Sequence, residues 1–113
     1  MIKKICILLH GPFHENAYVE IFNRISKIKK ELLKSISIIV VCYVSDYERT
    51  VNIMKNINDI NIKIVKVKDV VNPGFFNINR QIVSVRTGLK NIEVDCFVVK
   101  LRNDQYINFI KLI

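Results

Sequence analysis

Cysteine, glycine and proline are scarce in this chain, with three, three and two copies among 113 residues. The cysteines, Cys6, Cys42 and Cys96, each lie within an apolar run, and no Cys-x-x-Cys or Cys/His spacing is present. An odd number of cysteines without such spacing argues against a disulfide framework and against a zinc site. We therefore interpret them as small apolar core residues of a protein in a reducing compartment.

Glycine-rich phosphate loops and long apolar runs are also lacking. Neither G-x-G-x-x-G nor the Gly-Lys-Ser/Thr ending of a P-loop occurs, which argues against NAD, FAD and P-loop ATP chemistry. No apolar run approaches the ~20 residues that cross a bilayer. The N-terminal run ends at His10-Gly11-Pro12 rather than at a cleavage site of small residues. We interpret it as a first strand and expect a cytoplasmic protein.

Half of the residues are hydrophobic, which is enough for the core of one domain over residues 1–113. The formal net charge of +8 suits nucleic acid, an anionic membrane surface or an anionic small ligand. Lysines interleave with isoleucines at amphipathic spacing, as in residues 27–30, which favours solvated helix faces. Aromatic residues do not alternate with basic ones along a strand, which argues against nucleic acid.

Strand and helix patterns alternate along the chain. Strands are predicted over residues 3–9, 36–43, 62–67 and 96–99, and helices over residues 17–33, 47–54 and 77–89. Asn16 is the expected cap of the first helix, and lysines mark the third strand as an edge. The alternation predicts an α/β protein, a Rossmann-like three-layer α/β/α unit with a mainly parallel sheet in the order 3-2-1-4.

The third helix and the fourth strand organise this prediction. Apolar residues at Ile78, Ile82, Val85 and Leu89 keep one helix face apolar. The run at residues 96–99 is continuously apolar, as expected for a strand covered on both faces. In such sheets ligands bind beyond the carboxyl ends of the strands, at the point where the strand order reverses. The order 3-2-1-4 would bring the residues after the first and fourth strands together there, beside a helix start suited to phosphate.

Several motifs in these elements resemble one family. They are Asn79-Arg80-Gln81 and Thr87-Gly88-Leu89 on the helix, Lys100-x-Arg102-x-Asp104 at the strand end, and the opening His10-Gly11-Pro12. Together they resemble the WavE-type lipopolysaccharide-synthesis family, whose members are similar to nucleotide-sugar glycosyltransferases of the GT-A fold. The resemblance covers most of the chain. It implies the nucleotide-binding half of such an enzyme, acting in lipopolysaccharide or surface-glycan biosynthesis.

The resemblance also implies a set of binding residues and partners. A nucleotide-sugar donor would contact His10, Gly11, Pro12, Asn79, Arg80, Gln81, Lys100 and Arg102. The acceptor would be a glycan or a lipid-linked glycan, with peripheral association at the inner face of the membrane. Enzymes of the GT-A fold typically hold a divalent metal through Asp-x-Asp, of which the chain keeps only Asp104. Asp104 is therefore the expected ligand of Mn²⁺ or Mg²⁺, and Arg80 and Arg102 could supply positive charge directly.

Simpler roles remain open for each of these residues. Asp104 could only cap a final helix, and Arg80 could only pair with a nearby carboxylate. His10 could be a structural hydrogen-bonding residue. Phe75 and Phe76 are predicted to be core residues, with contact to the base of a sugar nucleotide as the alternative. No Ser/His/Asp or Cys/His constellation is readable, so the catalytic residues are unassigned.

The apolar pattern after Asp104 stops at Ile113 without a cap, so we expect a chain cut from a longer protein. The acceptor half would be missing, and sugar transfer by this chain alone would be weak or absent. The alternative is a non-catalytic Rossmann-like module that uses its basic surface for polyanions or its apolar end for assembly.

Overall fold

The structure, a computed structural model, describes residues 4–11, 13–27, 35–55, 57, 60–72, 74–75, 78–92 and 96–102. The strands are β1 (Lys4–His10), β2 (Ile36–Tyr43), β3 (Asn61–Val67) and β4 (Cys96–Arg102). The helices are α1 (Glu15–Ser26), α2 (Tyr47–Met54) and α3 (Ile78–Leu89), and a single 3₁₀ turn, Val44–Asp46, precedes α2. Within these ranges no helix is both long enough and apolar enough to cross a membrane.

All four strands run parallel, in the order β3-β2-β1-β4. Ile7 in β1 lies opposite Ile38 of β2 on one side and opposite Val99 of β4 on the other. The α/β class and the strand order predicted from the sequence are therefore confirmed.

Helices cover both faces of the sheet. On one face, Ile7 and Leu9 of β1 pack with Tyr18 and Ile21 of α1 and with Met54 of α2. On the other face, a smaller cluster packs under α3; its buried members are Cys6, Leu8, Ile39 and Val41. This arrangement is the predicted three-layer α/β/α unit, and its cysteines are free thiols.

Strand β3 is an edge strand, as its lysines predicted. Ile62 and Ile64 join the cluster under α1 and α2, whereas Val65 and Val67 join the cluster under α3. The apolar side chains of this strand therefore change from one face of the sheet to the other along its length, because both faces are covered. The exposed Lys66 places its Nζ 4.5 Å from the centre of the Tyr47 ring, a favourable cation–π contact.

Helix α3 packs on the sheet through its small residues. Ser84 and Gly88 are buried, and a Cβ added at Gly88 would collide with Leu8 Cδ1. The absent side chain therefore lets the helix approach the sheet closely. The apolar stripe recognised in the sequence faces elsewhere, because Ile78, Ile82 and Leu89 are about half exposed and Val85 alone of the four packs on the core cluster.

Strand β4 is less covered than its apolar sequence predicted. Among the described strands it forms the second edge of the sheet, and Phe97 and Val98 are 57% and 40% exposed. The expectation of a strand covered on both faces was wrong for these residues, because an apolar run does not by itself reveal how completely helices cover each face of the strand. Between β4 and the outer side of α3 lies an apolar groove of about 630 Å³ that includes Ile82, Leu89 and Lys100.

Two local predictions were also wrong. Helix α1 begins at Glu15, and its cap is His14, whose Nδ1 accepts a hydrogen bond from Ala17 N at 3.1 Å, rather than Asn16. An imidazole nitrogen can take the role of a cap oxygen, which residue statistics do not favour. Phe75 is exposed rather than a core residue; Phe76 lies outside the described residues.

Two isoleucine truncations distinguish the buried helix face from the exposed stripe. Ile25→Ala in α1 removes a fully buried side chain and should lower the free energy of unfolding by about 2–5 kcal/mol. Ile82→Ala in α3 should lower it by less than about 1 kcal/mol, because that side chain is already half exposed. Urea unfolding followed by circular dichroism measures both. Equal losses would contradict this packing of α3.

Candidate functional site

A cleft of about 200 Å³ lies beyond the carboxyl ends of β1, β2 and β4. Its lining residues are His10, Gly11, Tyr43, Asp69, Arg80, Gln81, Ser84 and Arg102. The chain builds β2 and β3 on one side of β1 and adds β4 on the other, so the strand order reverses at this point. Ligands of open α/β sheets bind at such a position.

The ends of two neighbouring strands supply one wall of the cleft. His10 is the last residue of β1 and lies opposite Arg102, the last residue of β4. Side chains alternate along a strand, so His10 shares the α3 side of the sheet with Cys6 and Leu8, and it is buried. Gly11 follows with φ of 111°, a backbone conformation that favours glycine and turns the chain away from the strand end.

Helix α3 and strand β2 supply the opposite wall. Arg80, Gln81 and Ser84 lie within the first two turns of α3 and line the cleft. Burial raises the pKa of Tyr43, and the carboxylate of Asp69 raises it further, whereas Arg80 and a hydrogen bond with Ser84 lower it. Tyr43 therefore remains a neutral phenol at physiological pH.

A bidentate ion pair in the cleft joins Asp69 to Arg80. Arg80 donates from Nε to Asp69 Oδ1 at 2.7 Å and from Nη2 to Asp69 Oδ2 at 3.0 Å. The guanidinium holds the pKa of the Asp69 carboxyl below its ordinary value. Arg80 therefore pairs with a nearby carboxylate, which is the simpler role that the sequence left open for it. Both residues of the pair line the cleft.

The cleft brings together five of the residues implied by the family resemblance, namely His10, Gly11, Arg80, Gln81 and Arg102. Lys100 lines the apolar groove between α3 and β4 instead. The Asn79 side chain donates from Nδ2 to the carbonyl of Asn72 at 3.0 Å and is not part of the cleft lining. Pro12 and Asp104 lie outside the described residues.

Three cleft residues were missed by the sequence analysis, namely Tyr43, Asp69 and Ser84. Tyr43 ends β2 and Asp69 follows the end of β3, so the rule that ligands bind beyond strand ends could have indicated both. Ser84 had no such signal, because a serine within an amphipathic helix is indistinguishable from a surface residue in the sequence.

The described part of the cleft does not by itself suit a divalent metal. Asp69 is the only carboxylate among its lining residues, and it is engaged by Arg80. Across the described ranges, no group of three or more His, Cys, Asp or Glu side chains converges on a point. Mg²⁺ and Mn²⁺ prefer several oxygen ligands, which these residues do not supply.

Comparisons with known proteins establish the fold but no family. No protein-family model matches the chain, and no curated protein matches it. Among solved structures, 4-diphosphocytidyl-2C-methyl-D-erythritol synthase from Anaerococcus prevotii is similar, with a TM-score of 0.63 and 16% identity. Residues 1–349 of TarS from S. aureus give a TM-score of 0.62 and 21% identity.

These two structures cover nearly all of the chain but are much longer than it. The chain aligns over 89% and 96% of its length, which corresponds to only 43% and 30% of the two relatives. The chain therefore shares the α/β fold of part of each protein. Identities this low establish the fold alone and leave the WavE resemblance as a prediction.

The titration of Asp69 tests the pair in the cleft. We expect its carboxyl to titrate below the ordinary value of about 3.9, and to return towards that value in Arg80→Gln, because the guanidinium stabilises the charged form. Carbon-detected NMR of the carboxyl group measures both. Because the folded pKa is lowered, the pair's contribution to stability is present above about pH 4 and is lost as the pH falls through the folded pKa. An unshifted Asp69 in the wild-type chain would contradict the geometry.

Proposed function

We propose that the chain is the nucleotide-sugar-binding part of a WavE-like glycosyltransferase that acts in lipopolysaccharide or surface-glycan biosynthesis. The observation that carries this proposal is the pair of arginines, Arg80 and Arg102, in a cleft at the reversal of strand order. Guanidinium groups bind phosphate oxygens in a bidentate manner, which suits the diphosphate of a nucleotide sugar. The name of one structural relative also contains a diphosphocytidyl group.

The chemistry of transfer explains why fixed cations would be needed. Transfer of a sugar from its nucleotide breaks the bond between the anomeric carbon and the diphosphate, which leaves as an anion. Positive groups aimed at that anion stabilise the transition state more than the substrate. Arg80 and Arg102 would supply this charge, and the neutral phenol of Tyr43 could donate a hydrogen bond to a phosphate oxygen.

The size of the cleft limits what these residues can hold by themselves. Pockets for small molecules usually measure about 300–1,000 Å³, and this cleft measures about 200 Å³. It suits the diphosphate and an adjoining ring rather than a whole nucleotide sugar. We therefore assign the acceptor site, for a glycan or a lipid-linked glycan at the membrane, to further chain of the kind present in the longer structural relatives.

A metal remains part of the proposal through Asp104 alone. Its position after Arg102 in the sequence matches the retained half of the Asp-x-Asp motif. Asp104 would help to hold Mn²⁺ or Mg²⁺, and the bound ion would offset the negative charge of the diphosphate. The roles proposed for Arg80, Arg102 and Tyr43 do not depend on the metal.

Thermal-shift titration with UDP-, GDP- and CMP-sugars tests the donor site. A donor that binds only the folded chain raises the midpoint by mass action. Arg102→Gln should weaken binding of that donor about ten-fold, because a charge-assisted hydrogen bond is lost. Lys100→Gln, two residues earlier on the same strand, should change affinity less than about three-fold, because Lys100 lines the groove instead.

Arg86→Gln provides a second control, since it removes the same charge from α3 but lies outside the cleft lining. Repeating the titration with Mn²⁺ and with Asp104→Ala tests the metal. Equal losses in Arg102→Gln and Arg86→Gln would indicate a general charge effect instead of a site. No shift with any donor would favour the non-catalytic module.

A further inference from the structure

Asp69 is the one acidic residue among the described lining residues of a cleft otherwise suited to anions. Both of its carboxylate oxygens contact the guanidinium of Arg80, on Nε and Nη2. That edge of an arginine is one that phosphate groups also use for bidentate binding. The carboxylate thus occupies a position on Arg80 that a diphosphate would need.

We infer that Asp69 is a specificity-determining residue of the cleft, an internal counterion of Arg80 that a phosphorylated ligand must displace. This inference rests on the proposed function, because it assumes that the cleft binds a phosphorylated ligand. It adds a class of ligand to that function, since displacement selects for ligands that carry more negative charge than the carboxylate they replace. A diphosphate meets that requirement, whereas a monocarboxylate gains nothing over Asp69.

Electrostatics argue for displacement and against simultaneous binding. Asp69 and Arg80 line the same small cleft, so a diphosphate on Arg80 would lie beside the carboxylate. Two negative groups held against the same guanidinium repel each other, so the diphosphate and the carboxylate compete for Arg80. Asp69 carries its charge at neutral pH, since the ordinary pKa of an aspartate lies well below 7 and Arg80 lowers the pKa of this carboxyl further.

The exposure of the pair makes displacement feasible. The side chains of Asp69 and Arg80 are 48% and 34% exposed, so solvent screens their attraction. Exposed ion pairs are weak, and a ligand with higher charge can outcompete one of the partners. A buried pair would instead resist exchange, because separation would leave an uncompensated charge in the core.

The segment that carries Asp69 is fastened to α3 at a second point. Asn79 Nδ2 donates to the carbonyl of Asn72, and Asn72 Oδ1 accepts from the Gly74 N–H. Movement of the Asp69 side chain therefore need not release the whole segment from the helix. Asn79, which the resemblance placed in the ligand site, acts in this arrangement as a positioning residue.

Asp69→Asn tests the inference, because it keeps the shape of the side chain and removes its charge. We expect isothermal titration at constant ionic strength to show affinity for pyrophosphate, and for the donor that binds wild type, raised about five-fold. Affinity for acetate should remain too weak to measure in both proteins. Glu48→Gln, which removes one exposed negative charge on α2 away from the cleft, should leave pyrophosphate affinity unchanged.

A double-mutant cycle separates this role from a purely structural one. The gain in Asp69→Asn should vanish when Arg80→Gln is added, because the competition is for that guanidinium. Unchanged or weakened binding in Asp69→Asn, with wild-type binding intact, would overturn the inference and leave the proposed function standing. Absence of binding in every protein would overturn both. Binding by Asp69→Asn alone would support both.

Discussion

Strand β1 hydrogen-bonds to β2 along one edge and to β4 along the other, and helices cover both of its faces. A strand in this position has no freedom to slip, because a shift by one residue would exchange its two core faces. Its carboxyl end is therefore held in place, and His10 and Gly11 are held with it. The neighbouring strands take their register from β1, which aligns Arg102 with His10 at the rim of the cleft.

The close packing of α3 extends this constraint to the other wall. Gly88 lies against Leu8 and Val41, and Ser84 is also buried. The same close approach brings Arg80 and Gln81 over the strand ends. Side chains of larger volume at these two positions would hold the helix further from the sheet and widen the cleft. The geometry of the polar site thus depends on an apolar contact near the opposite end of the helix.

Among the described lining residues of the cleft, one of the two arginines is paired with a carboxylate and the other is not paired with it. Asp69 neutralises Arg80, and Tyr43 stays protonated, so Arg102 carries the positive charge at the β4 side of the cleft. Overall charge attracts anions in general, but only this arrangement distinguishes one anion from another. The net charge of +8 was therefore a poor guide to the site. The same caution applies to the groove beside β4, where Arg86, Lys90 and Lys100 border apolar side chains.

Apolar runs and helical spacing were sufficient to predict the strands and, from their alternation with helices, the parallel sheet and its order. Burial of a strand on both faces leaves a continuous apolar run, and burial of one face of a helix leaves a helical period. The predicted strand order also indicated that His10 and Arg102 would be neighbours, since strand order decides which strand ends meet. The start of α3, which carries Arg80, was expected to face the same crevice. Only the tertiary structure decided which side of α3 meets the sheet. The apolar stripe at Ile78, Ile82 and Leu89 is a stronger sequence signal than Ser84 and Gly88, yet volume at the contact, not hydrophobicity, determined the packing. The pairing of Asp69 with Arg80 was likewise invisible in the sequence, because it joins residues in two elements whose relative position is set by that packing.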